Sequence, residues 1–115
     1  MNNIEKLIEK LIKESLKQEE VTLEADSKKM SHQSIKIYEI NQELRTAGRE
    51  AYEKLIPLLD YQNFYVKLNV AYTLIPIYPE KARQTILEVS KSKGLIAFRA
   101  EMILQQLTNG DIKID

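Results

Sequence analysis

Cysteine is absent from this sequence. Its absence excludes disulfides, zinc–thiolate sites and thiol nucleophiles together, and it suits a reducing cytoplasm. Histidine occurs once, as His32 in "MSHQS". A zinc-type site would need two or three further nitrogen or sulfur ligands, and no Asp-rich loop of the calcium type is present. His32 is therefore read as a surface or boundary side chain. The three glycines, Gly48, Gly94 and Gly110, stand singly at expected helix ends. No glycine-rich loop is left to cradle a phosphate or a dinucleotide. Six serines sit in no nucleophile motif such as Gly-x-Ser-x-Gly. The adjacent carboxylates Glu19 and Glu20 would serve acid–base chemistry only inside a cleft. No enzymatic activity, metal or cofactor is expected.

Neither sign of charge prevails, with 17 basic residues against 17 acidic ones. A dedicated nucleic-acid binder would carry a basic excess. Long apolar runs are also missing. "MNNIEKLIEKLIKESLK" places a charge every three or four residues, so it reads as neither a signal peptide nor a membrane span. Its polar face mixes glutamate with lysine, whereas interfacial helices favour lysine and arginine there. A cytoplasmic protein with a single domain, residues 1–115, is expected from the length and from a composition of 43% hydrophobic and 30% charged residues.

What is present is helical spacing. Ile4, Leu7, Ile8, Leu11, Ile12 and Leu16 follow the i, i+3, i+4, i+7 pattern of an amphipathic helix over about residues 3–18. A short acidic connection follows, and Asp26 or Ser27 offers the N-cap of a second helix. That helix would bury Met30, Ile37, Ile40, Leu44 and Ala47 and stop at Gly48. "REAYEKLIPLLD" predicts a third helix burying Ala51, Leu55, Leu58 and Leu59, bent or stopped by Pro57.

"NFYVKLNVAYTLIPIYPE" carries two periods at once. Phe64, Val66, Leu68, Val70, Tyr72 and Leu74 alternate like a strand, while Phe64, Leu68, Ala71, Ile75 and Tyr78 form a helical stripe. A strand of twelve or more residues would be about twice the usual length. Asn63 is also a good N-cap, so a fourth helix ending near Pro76 is the reading adopted. Pro79 opens a fifth helix with Ala82, Ile86 and Val89 inward, Glu80 in its first turn, and Lys91 and Lys93 at its end. A sixth, "LIAFRAEMILQQLT", turns Ala97, Ala100, Ile103, Leu104 and Leu107 inward and closes at Asn109-Gly110. "DIKID" is read as a tail. Short connections make neighbouring helices antiparallel, which suggests three helical hairpins side by side.

"LIPLLDYQNFYVKLNVAYTL" resembles a HEAT-type repeat, with "PLL" ending one helix, Asp60 and Asn63 in the turn and "VK" opening the next. The whole chain resembles the bacterial domain-of-unknown-function family numbered two thousand and nineteen. The segments that carry it are "EADSKKMSHQSIKIYEINQEL", "LIPLLDYQNFYVKLNVAYTLIPIYPEKARQTILEV" and "IAFRAEMILQQLTNG". Lys67, Val70 and Leu107 stand where that family usually has arginine, alanine and often tryptophan, changes that keep the apolar and basic character. The resemblance implies an all-α, right-handed αα-superhelix of about three stacked hairpins, and it brings no catalytic activity. It also implies a role as an immunity protein, since such small helical proteins are often encoded beside secreted bacterial toxins.

Two features mark candidate binding residues. Residues 14–26 hold five acidic side chains against one lysine, a local charge of −4. They are either a solvated turn or, through Glu19, Glu20, Glu24 and Asp26, an acidic patch that would face a basic partner such as a nuclease groove. Four tyrosines lie between residues 61 and 78. Tyr61 and Tyr65, at a turn and a first helical turn, are the candidates for contact, because tyrosine is enriched at interfaces. The expected partner is a cognate toxin domain, with a nuclease favoured and its active site blocked. The alternative is a helical adaptor with a housekeeping partner. Neither nucleic acid nor membrane is an expected partner.

Overall fold

The apolar stripe of the first helix continues past its last leucine. In this computed structural model, which describes residues 3–110, α1 spans Asn3–Glu24. It does not stop near residue 18. The buried positions after Leu11 are Ser15, Gln18 and Val21, which keep the three-to-four spacing with polar side chains in two of the three places. Leu16 instead lies 39% exposed. The stretch expected as an acidic connection is thus mostly helix. The helix stops at Ala25, a non-glycine residue with φ of 56°, whose N–H bonds the Thr22 carbonyl at 3.0 Å.

Asp26 caps α2 (Ser27–Ala47), its carboxylate accepting the N–H groups of Lys28 and Lys29. Ile37, Ile40 and Leu44 are buried as expected, joined by Gln33 and Asn41. Met30 is half-buried and Ala47 is exposed, contrary to expectation, because the inward stripe rotates onto Asn41 and Leu44. Gly48, between α2 and α3 (Arg49–Leu55), has φ 90° and ψ −158°. Gly94, before the last helix, has φ 82° and ψ −165°. Side chains essentially never occupy that region, so glycine is required at both joints.

The third helix ends sooner than expected. Pro57 has no N–H for the Glu53 carbonyl, and the chain tightens from Leu55 into a 3-10 segment, Ile56–Asp60. Ala51, Tyr52, Leu55 and Leu59 are buried, whereas Leu58 is half-buried.

The two-period stretch forms α4 (Phe64–Leu74), capped by Asn63, whose side chain accepts the N–H groups of Tyr65 and Val66. Val66, Leu68, Asn69, Val70, Ala71, Thr73 and Leu74 are all buried. The helix is enclosed on nearly every side, so alternation and stripe both read as apolar. Phe64, placed on the inward stripe by spacing, is 39% exposed at the helix mouth. α5 (Pro79–Ser90) starts on its proline and leaves Lys91 at its C-cap. α6 (Leu95–Asn109) ends on Gly110 in the left-handed conformation. Ala82, Ile86, Val89, Ala97, Ala100, Ile103 and Leu107 face inward, while Leu104 is half-buried. The "DIKID" segment lies outside the described residues.

The described residues are all-helical. α1 packs chiefly on α2, α4 on α5 and also on α1 and the 3-10 segment, and α5 on α6. One hydrophobic cluster runs through every element, with α4 at its centre. A polar thread crosses it. The Asn69 amide donates to Ser15 Oγ and Gln18 Oε1, both at 2.9 Å, while Ser15 passes its own proton to the Leu11 carbonyl. The Thr73 hydroxyl lies between Asn41 Oδ1 (2.5 Å) and the Asn69 carbonyl (2.9 Å), donating to one or the other. No buried side-chain polar atom among the described residues lacks a partner, as a stable polar interior requires.

Arg45 closes the end of α4. Pro76 cannot donate to the Tyr72 carbonyl, which takes only a long 3.4 Å bond from the Ile75 N–H, and Ile77 donates to Leu74, which leaves Thr73 without its helical partner. The Arg45 guanidinium serves both carbonyls, at 2.7 Å to Tyr72 and 3.3 Å to Thr73. It also stacks 5.3 Å from the centre of the Tyr72 ring. A cation at a helix C-terminus complements the dipole as well.

Candidate protein-binding surface

The six residues singled out by sequence divide between two hollows and the core edge. Glu20, Glu24 and Asp26 line a hollow of about 660 Å³ between α1 and α2. Its other walls include Lys17, Lys28, Lys29 and Lys36 as well as His32. Four lysines therefore meet three carboxylates, and the −4 of the linear stretch is not the charge met in space. Glu24 pairs with Lys29 at 3.1 Å, and that bond holds the Lys29 ammonium above its ordinary pKa. Asp26 is occupied as a cap. Of these three, Glu20 alone is an exposed acid with no structural contact assigned to it above.

Glu19 and Tyr65 meet in another hollow of about 520 Å³, with Leu23, Phe64 and Leu95 on its rim. Glu19 Oε1 accepts from Asn63 Nδ2 at 2.9 Å, so it steadies the side chain that caps α4. Tyr65 and Tyr61 are both half-buried against the core cluster.

A third feature escaped the sequence reading. A groove of about 250 Å³ lies between α2, α4 and α6, lined by Tyr38, Asn41, Tyr72, Arg99, Met102 and Gln106 among others. Two of its lining side chains stand in the open, Tyr38 at 56% and Met102 at 45% exposed, and Ile35 (58%) and Phe98 (58%) on the same helices are exposed as well. Leu95, Phe98 and Met102 recur at helical spacing along α6 on the side away from Ala97 and Ala100. That second apolar row is visible in the sequence, but it reads there as more core. Burial along the groove lowers the pKa of Arg99, an effect opposed by Tyr72 and Tyr65. Arg99 as a whole residue is exposed, and its guanidinium stays charged at physiological pH.

Among the described residues, no cluster of three or more histidine, cysteine, aspartate or glutamate side chains is placed to hold a metal ion. No helix among the described residues is long and apolar enough to cross a membrane.

A family model described as a domain of unknown function (DUF2019) matches residues 5–108. No curated protein matches this chain. Among solved structures, the protein RPA1889 from Rhodopseudomonas palustris CGA009 superposes with a TM-score of 0.85 at 25% identity. The match covers 100% of this chain and 95% of that one.

Proposed function

We propose that this chain, which belongs to the DUF2019 family, is a protein-binding module that acts in the cytoplasm as an immunity protein. It binds a bacterial toxin domain, a nuclease in the favoured case, and blocks that domain's active site by occlusion. Its six helices are taken as three hairpins stacked in a right-handed, HEAT-like superhelix, which fits the close packing of α1 on α2 and α5 on α6.

The observation that carries this reading is a groove lined by Tyr38, Arg99 and Met102, with Ile35 and Phe98 of the same two helices, α2 and α6, also exposed. Tyrosine, phenylalanine, methionine and arginine are the types enriched where proteins meet. A stable contact needs about 800 Å² per partner, and the molecule exposes 7038 Å². The reading assigns the chain no reaction of its own.

Mixing the purified chain with the toxin encoded beside it, and following substrate cleavage, is the test. Stoichiometric loss of cleavage is expected. An unaffected rate and no complex on gel filtration would end the immunity reading. The acidic contribution is tested separately at Glu20→Lys, because Glu19 and Asp26 hold helix ends. Weaker neutralisation by that variant is expected if the α1–α2 hollow is part of the contact.

A further inference from the structure

We propose that the groove between α2, α4 and α6 is the docking site for the protein partner, and that Arg99 anchors there a carboxylate side chain flanked by apolar residues. This deepens the protein-binding reading above and rests on it.

Charge decides the occupant. Arg99 is the single charged residue lining the groove, and among the described residues no carboxylate is ion-paired with it. The other guanidinium nearby, that of Arg45, is already engaged with two carbonyls and the Tyr72 ring. The Arg99 fork, with no carboxylate paired to it among the described residues, therefore matches one aspartate or glutamate.

Size and chemistry narrow it further. At about 250 Å³ the groove lies below the range of small-molecule sites, roughly 300–1,000 Å³, and suits one or two inserted side chains. Nucleic acid would call for several cations tracking phosphates, and the groove has one. Phe98 lies one helical turn before Met102, Leu95 one turn before Arg99, and Tyr38 stands across on α2. A segment of the partner that presents an acid between aliphatic or aromatic residues would meet these side chains on both sides of the salt bridge.

The test is to pan the full chain against a displayed library of short random peptides and titrate the winners. Enriched peptides are expected to place aspartate or glutamate beside an apolar residue. Arg99→Gln should weaken them at least about tenfold, the effect of losing a hydrogen bond to a charged group, and Phe98→Ser should weaken them too. Arg99→Glu should switch selection toward lysine and arginine. Both substituted positions are exposed, so the melting temperature should hold and report that each variant is folded. Winners without a carboxylate, indifference to Arg99→Gln, or no enrichment would overturn the proposal. So would single-stranded DNA bound at low salt and released by Arg99→Gln. Toxin neutralisation that survives Arg99→Glu would remove this groove and leave the immunity reading. Acidic peptides selected as expected, with no toxin bound, would do the reverse.

Discussion

α4 and α6 are both rich in apolar residues, and they put them to opposite use. α4 is walled in by its neighbours and buries even Asn69 and Thr73. α6 buries one row, Ala97, Ala100, Ile103 and Leu107, and leaves Leu95, Phe98 and Met102 in solvent. Apolar content therefore does not say what is inside; position in the fold does. The central helix is held by packing and by polar groups with no water to fall back on. The outer helix keeps a second apolar face that contributes little to the fold and is free for a partner.

The sharpest way to break this contrast is to truncate one large apolar side chain in each setting. Leu74→Ala removes a fully buried side chain and should cost about 2–5 kcal/mol, the range for leucine cavities. Met102→Ala on the exposed row should stay within about 0.5 kcal/mol. Urea unfolding of both variants reads the difference, and similar midpoints would abolish the distinction between the two helices.

The polar thread sharpens the same contrast. Asn69→Leu deprives Ser15 Oγ and Gln18 Oε1 of their donor. Buried groups left unpartnered cost about 1–3 kcal/mol each, so a loss of about 2 kcal/mol is expected after Gln18 relaxes. Arg45→Met should cost a comparable 1.5–3 kcal/mol, roughly the worth of charge-assisted bonds, since the Thr73 carbonyl loses its donor and the Tyr72 carbonyl keeps only the long bond from the Ile75 N–H. Arg45→Lys should recover only part of it, because an ammonium lacks the fork and the ring stacking. Thermal melts of the three variants decide. A neutral Arg45→Met would mean that water serves those carbonyls equally well.

Most of the fold was legible because its stops are chemical. Asp26, Asn63, Pro57, Pro76 and Pro79 each act on a backbone donor or acceptor, and each sits where an element starts or ends. What escaped was of two kinds. Ser15, Gln18, Gln33, Asn41 and Asn69 are polar by type and buried by position, and their bonds, with Glu14 and Thr73 as the partners of Gln33 and Asn41, link α1, α2 and α4 across long stretches of chain. No local pattern announces such pairs. The groove escaped because α6 has two apolar faces, and spacing cannot tell which one a neighbour covers. The candidate site was less legible than the fold: lysines brought in by α2 changed the surroundings of the acidic residues. Gly48 was placed correctly as a stop, though its geometry demands glycine more strictly than a helix end alone would. Gly48→Ala finds open space around its Cβ, so its expected loss of about 1–3 kcal/mol is pure backbone strain.

A small effect of opposite sign, a stabilisation, is expected where the first helix ends. Ala25 holds φ at 56°, a left-handed conformation that costs an L-residue about 1–2 kcal/mol and glycine almost nothing. Glycine also gives the unfolded chain more freedom, which offsets about 0.4–1 kcal/mol of that relief. Ala25→Gly should therefore stabilise the protein by about 0.5 kcal/mol, whereas glycine in the interior of either helix would destabilise it. The contact to the Thr22 carbonyl is made by the backbone and survives the change, so the gain isolates the strain. A melting temperature that falls on Ala25→Gly would mean that α1 does not turn left-handed there, and the joint that sets α1 against α2 would have to be drawn differently.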